Sequence, residues 1–101
     1  MNPHPKTLRV LAFLIFFLAT TSLAQAPRKP FTPVDEIEGL PRVLLLGDSI
    51  SIGYTTPTQD YLLGKANVHR ASENCGPTTN GLKKLDDWLG DKQWDVIHFN
   101  F

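Results

Sequence analysis

A single cysteine, Cys75, is all the sequence carries. No disulfide can close within the chain, and no Cys/His cluster has the spacing of a zinc site. Excess charge of either sign is also missing: ten Lys and Arg stand against ten Asp and Glu. That balance leaves no basic footprint for nucleic acid and no acidic tail. There is no internal repeat. Neither G-x-x-x-x-G-K-[ST] nor G-x-G-x-x-G occurs, so the chain offers no phosphate loop and no dinucleotide fingerprint. The G-x-S-x-G elbow of lipases is absent too. With 101 residues there is room for one domain at most.

Long apolar runs are scarce. Val10–Leu18 (VLAFLIFFL) is the main one, and it is short of the roughly 20 residues that span a bilayer comfortably. Lys6 and Arg9 precede it, and the small, polar stretch Ala19–Ala26 follows. This is the tripartite pattern of a secretory signal peptide. A cut after Ala26 would leave Pro27 next to the scissile bond, so cleavage is expected after Ala24. Residues 1–24 are then a signal peptide, and the mature protein is secreted or periplasmic without a stable membrane anchor. An uncleaved anchor is the alternative. Residues 25–41 hold Pro27, Pro30, Pro33 and Pro41 among charged residues and read as an extended, proline-rich linker. What remains, residues 42–101, is about 60 residues, a size that buries only about 60% of its surface and is marginal alone.

That remainder alternates regularly. Arg42–Leu46 is an apolar run that stops at Gly47-Asp48 and reads as a buried parallel strand. Pro57–Leu63 reads as a short helix, with Thr56 as cap, Pro57 in the first helical position and Gly64 at the end. Asn67–Arg70 is a second, weaker strand. Leu82, Leu85, Trp88 and Leu89 fall at helical spacing before Gly90, which leaves Lys83, Asp86 and Asp87 to face water. Trp94–Phe101 (WDVIHFNF) is rich in β-branched and aromatic residues and predicts a third strand. The order β-α-β-α-β, with long crossovers, points to a three-layer α/β fold with a parallel sheet. In such sheets ligands bind at the carboxyl ends of the strands.

The first such end carries Gly47-Asp48-Ser49. A serine in this turn has backbone N–H groups beside it that can stabilise a developing oxyanion, its own N–H first. Gly47 lets the chain turn tightly, and Asp48 can hydrogen-bond the turn backbone. The plain alternative is that Asp48 or Ser49 caps a helix. The second end carries Gly76-Pro77, which by itself reads as an ordinary Gly-Pro turn. Cys75 beside it has no base at hand to make it reactive and reads as a small structural residue.

The segment VLLLGDSISIGY (residues 43–54) resembles block I of the GDSL/SGNH hydrolase superfamily, in which an apolar first strand runs into G-D-S. The resemblance implies Ser49 as the nucleophile of an ester hydrolase. It also matches Gly76, within Arg70–Gly81, to the glycine whose N–H completes the oxyanion hole with that of Ser49. A flavodoxin-like, SGNH-type sheet follows from the same likeness. Substrates in that family are carbohydrate acetyl or lipid esters, with no metal or nucleotide cofactor. Asp95-Val96-Ile97-His98 spells the family's D-x-x-H, but residues three apart on a strand point to opposite faces, so these two are not expected to form a relay. Trp94–Ile97 instead resembles the strand before the family's third block. Asn100, set in F-N-F, is not assigned as an oxyanion asparagine, and His69 receives no role. The likeness therefore covers the N-terminal part of such an enzyme, with the catalytic base missing, so that little esterase activity is expected of this chain. A non-catalytic exported α/β binding module is the runner-up. Oligomeric state is not legible.

Overall fold

The computed structural model describes residues 26–101. The expected signal peptide, residues 1–24, and its cleavage point lie outside the described residues. Five elements follow in the order β1 (Arg42–Gly47), α1 (Ser49–Tyr61), β2 (Asn67–Arg70), α2 (Thr78–Leu89) and β3 (Val96–Asn100). The strands form one open sheet in the order β2-β1-β3, parallel throughout. The described chain is thus a small α/β unit with a three-stranded parallel sheet and two helices.

β1 is the middle strand, and its apolar run is buried on both faces. Leu44, Leu45 and Leu46 are all buried, as a strand covered on both sides requires. Leu44 and Leu46 point one way, into a cluster with Ala71, Cys75 and Trp88 of α2, with Leu89 and Trp94 at its margin. The opposite face of the sheet carries α1. There Tyr54 meets His98, Thr55 meets Arg70 and Gln59 reaches the Val68 carbonyl. The two helices lie on opposite faces because the first crossover runs from β1 to β2 and the second returns past β1 to β3, each with the same hand.

Three local expectations give way. α1 begins at Ser49, directly after β1, with Asp48 as its N-cap; Thr56 and Pro57 are interior residues, and Pro57 sits in the third turn. The Asp48 carboxylate accepts from Ile50 N at 2.9 Å and starts the helix early. The hydroxyls of Thr55 and Thr58 then bond back to the carbonyls of Ser51 and Tyr54. The helix stops after Tyr61, short of Leu63, and Gly64 lies just beyond in the left-handed region at φ +76°. α2 starts at Thr78, four residues before the first of the leucines at helical spacing. On α2, Lys83, Asp86 and Asp87 are exposed as expected, but so are Leu82 and Leu85. The sheet is only three strands wide, so Trp88 and Leu89 find apolar cover and the leucines a turn earlier do not. β3 is an edge strand whose five residues are all exposed.

Residues 26–41 form neither helix nor strand, yet they do not hang free. The buried Asn67 carboxamide accepts from Ile37 N and donates to Ile37 O, both at 2.9 Å. Glu36 receives a two-pronged bond from Arg42, Nε to Oε1 at 2.8 Å and Nη2 to Oε2 at 2.9 Å. His69 Nε2 lies 2.7 Å from the same Oε1, and Lys92 Nζ 3.8 Å from it. The Arg42 bond leads, with His69 and Lys92 adding to it, in holding the Glu36 carboxyl down at about 2.

Candidate functional site

The strand order turns back at β1, so the carboxyl ends of β1 and β3 flank the point at which open α/β sheets bind ligands. Gly47 ends β1 there, paired with Asn100 of β3. Its backbone is in an ordinary region, so the need for glycine is one of space. A Cβ on Gly47 would collide with the Asn100 carbonyl oxygen and lie 2.8 Å from Ser51 Cβ and 2.9 Å from Ser51 Oγ. Glycine lets α1 spring from the end of β1 while β3 passes alongside.

Ser49 is the first residue of α1 and is exposed. No hydrogen bond engages its hydroxyl among the described residues, and its N–H, in the first turn of a helix, has no intrahelical acceptor. The positive end of the helix dipole adds to that donor. Ser51, by contrast, is fully buried and donates from Oγ to Asp48 O at 2.6 Å. Of the two serines in the motif, only Ser49 faces outward.

The Gly76 loop is brought to the same rim. Cys75 N donates to Gly47 O at 3.0 Å, which sets Gly76 one residue from the turn that holds Ser49. Gly76 has φ +63°, the left-handed region that favours glycine. Its N–H donates to Asn74 Oδ1 at 2.9 Å, closing an Asx turn. An oxyanion would have to displace that exposed carboxamide to reach the donor. Cys75 itself is fully buried, and burial pushes its thiol up from the ordinary value. A thiol so placed is inert, which agrees with a packing role.

The remaining acid–base residues sit elsewhere. Asp95 binds the amino end of β1: its carboxylate accepts from Arg42 N at 2.8 Å, and its own N–H donates to Arg42 O at 2.9 Å. His98, three residues on, has its Nε2 3.1 Å from Tyr54 Oη, with the two rings edge to face. The D-x-x-H residues are therefore held by different partners. His69 is occupied by Glu36 and packs edge-on against Trp94 on the α2 side. Neither histidine is hydrogen-bonded to Ser49. Asn100 joins the rim through its carbonyl, which accepts from Asp48 N at 3.4 Å. Among the described residues no group of three or more His, Cys, Asp or Glu is gathered for a metal ion. Grooves of about 310, 450 and 260 Å³ lie beside the N-terminal segment, at the amino end of the sheet and along α2; Ser49 lines none of them. The site is an open rim.

Sequence inspection missed Arg70, Thr55 and Asn74. The signal for the first two was present: hydroxyl residues at 51 and 55 share one face of a helix, and an arginine closes a half-buried strand. Such a group needs buried acceptors, and these are supplied by both α1 and the second loop. Set against protein families, curated proteins and solved structures, the chain matches none.

Proposed function

We propose that the chain is the N-terminal, nucleophile-bearing part of an exported serine esterase of the SGNH type, built on a flavodoxin-like sheet. The observation that carries the proposal is the placing of Ser49. It is exposed at the positive end of α1, at the carboxyl end of the central strand, one hydrogen bond from the Gly76 loop. The strand order β2-β1-β3 is also the order in which a flavodoxin-like sheet begins. Ser49 Oγ would attack an ester carbonyl, and the N–H groups of Ser49 and Gly76 would receive the oxyanion. The substrates are carbohydrate acetyl or lipid esters, and the reaction asks for no cofactor. A serine without a base is a weak nucleophile, so this chain alone acylates slowly and turns over little.

A second reading, a non-catalytic exported binding module, has its own support. Asp48 does cap α1, and Asn74 does occupy the Gly76 N–H. Exposure to p-nitrophenyl acetate, followed by peptide mapping, separates the two. The esterase reading expects an acetyl group on Ser49, absent from Ser49→Ala. Acetylated lysines with an untouched Ser49, in a folded sample, would leave the module.

A further inference from the structure

A ladder of hydroxyls runs along the buried face of α1. Ser51 Oγ donates to Asp48 O, and Thr55 Oγ1 donates to Ser51 O at 2.7 Å. Both residues are fully buried. Arg70, at the end of β2, donates from Nη1 into the Thr55 hydroxyl at 2.9 Å. The same guanidinium donates from Nε to Ala71 O at 3.0 Å and from Nη2 to Glu73 O at 3.3 Å. The Phe31 ring covers it, with Cζ 4.9 Å from the ring centroid. One planar fork thus serves three acceptors in two segments, which a lysine ammonium cannot do at the same angles.

The loop that leads to Gly76 has two other anchors. Cys75 N ties it to β1, and the Glu73 carboxylate accepts from Trp88 Nε1 at 2.9 Å and from Lys84 Nζ at 3.0 Å, both on α2. Among the described residues, Arg70 is the side chain whose hydrogen bonds tie this loop to α1, the helix that presents Ser49. We infer that Arg70 is a positioning residue: it fixes the separation between the Ser49 hydroxyl and the Gly76 N–H. The inference rests on the esterase reading given above.

The test uses the whole chain and a fluorophosphonate probe, with the limiting rate of Ser49 modification and the half-saturating probe concentration measured separately. Amide exchange at Cys75 and Gly76 is read in parallel. In Arg70→Lys the limiting rate falls about 10- to 100-fold, since a displacement near 1 Å costs about that much, while the half-saturating concentration stays put. Exchange at the two amides quickens. Thr55→Val removes the acceptor at nearly constant size, and gives a loss in the same direction if Arg70→Lys folds poorly. The double variant loses less than the two single losses multiplied together, because both changes cut the Arg70–Thr55 bond. A wild-type limiting rate in folded Arg70→Lys and Thr55→Val overturns the inference, as does unchanged exchange at Cys75 and Gly76. A wild-type chain that is never labelled at Ser49 sinks the nucleophile reading instead. The fastening of the loop by Arg70 is then decided by exchange alone.

Discussion

Replacing Gly47 with alanine adds one methyl group at the most crowded point of the rim. The new Cβ would meet the Asn100 carbonyl oxygen and stand 2.8 Å from Ser51 Cβ, where carbon atoms normally rest about 3.5–4.0 Å apart. The obstacles on both sides are hard to move. Asn100 O belongs to the backbone of β3, and Ser51 is fully buried and bonded to Asp48 O. Relief requires α1 or β3 to draw back from β1. Overpacking of this kind costs about 1–3 kcal/mol. The Asp48 N–H to Asn100 O bond stretches further with it, adding about 1 kcal/mol. The total, about 2–4 kcal/mol, is a large share of the 5–15 kcal/mol typical of a folded domain. At about 4–8 °C per kcal/mol for a chain this small, Tm should drop by about 8–30 °C. Gly53→Ala is the matched control. Gly53 lies within α1 at negative φ, with nothing within 4 Å of its would-be Cβ. Its replacement should stabilise by up to about 1 kcal/mol through helix propensity. Thermal and urea unfolding followed by circular dichroism reads both. Equal stability of Gly47→Ala and wild type, or a loss in Gly53→Ala matching that in Gly47→Ala, would refute the claim that Gly47 is a glycine for want of space.

Acid stability should depend on Glu36. Its carboxyl is held at about 2 in the fold against an ordinary value near 4.5, so its contribution is complete above about pH 4.5 and is lost as the pH falls towards 2. Glu36→Gln should flatten the acid limb of a stability–pH curve measured by urea unfolding, with Glu73, whose carboxyl is also lowered, supplying the remainder. An acid limb unchanged by Glu36→Gln would show that the contact with Arg42 does not hold in solution. Cys75, buried and with its thiol pushed up, should resist Ellman's reagent in the native protein and react fully once urea unfolds it. Rapid reaction under native conditions would mean that the loop of residues 71–77 opens freely.

The strands were legible because their causes are local. The run Arg42–Leu46 has one burial pattern open to it, and Asn67–Arg70 is set off by Gly64 on one side and a turn-rich segment on the other. α1 was mislaid because its start is fixed by one side chain. Pro57 suits a first helical position, and only the engagement of the Asp48 carboxylate by Ile50 N shows that the helix begins at Ser49. The docking of residues 26–41 was illegible for a different reason: it depends on Asn67 and Arg42, some thirty and six residues distant from their partners, and no periodic pattern records such contacts. At the candidate site, the rim position of Ser49 followed from strand and turn chemistry. The engagement of the Gly76 N–H by Asn74, and the tie from Arg70 to both sides of the rim, follow from side-chain reach, which no periodic pattern records.

The proposed nucleophile of this turn is Ser49 rather than its neighbour Ser51. Incubation of the folded chain with a fluorophosphonate probe, with the adduct mapped by mass spectrometry, tests it most directly. A slow, stoichiometric adduct is expected on Ser49 alone, retained in a folded Ser51→Ala variant and lost in Ser49→Ala. A folded chain that stays unmodified, or that carries the adduct on another residue, would contradict it.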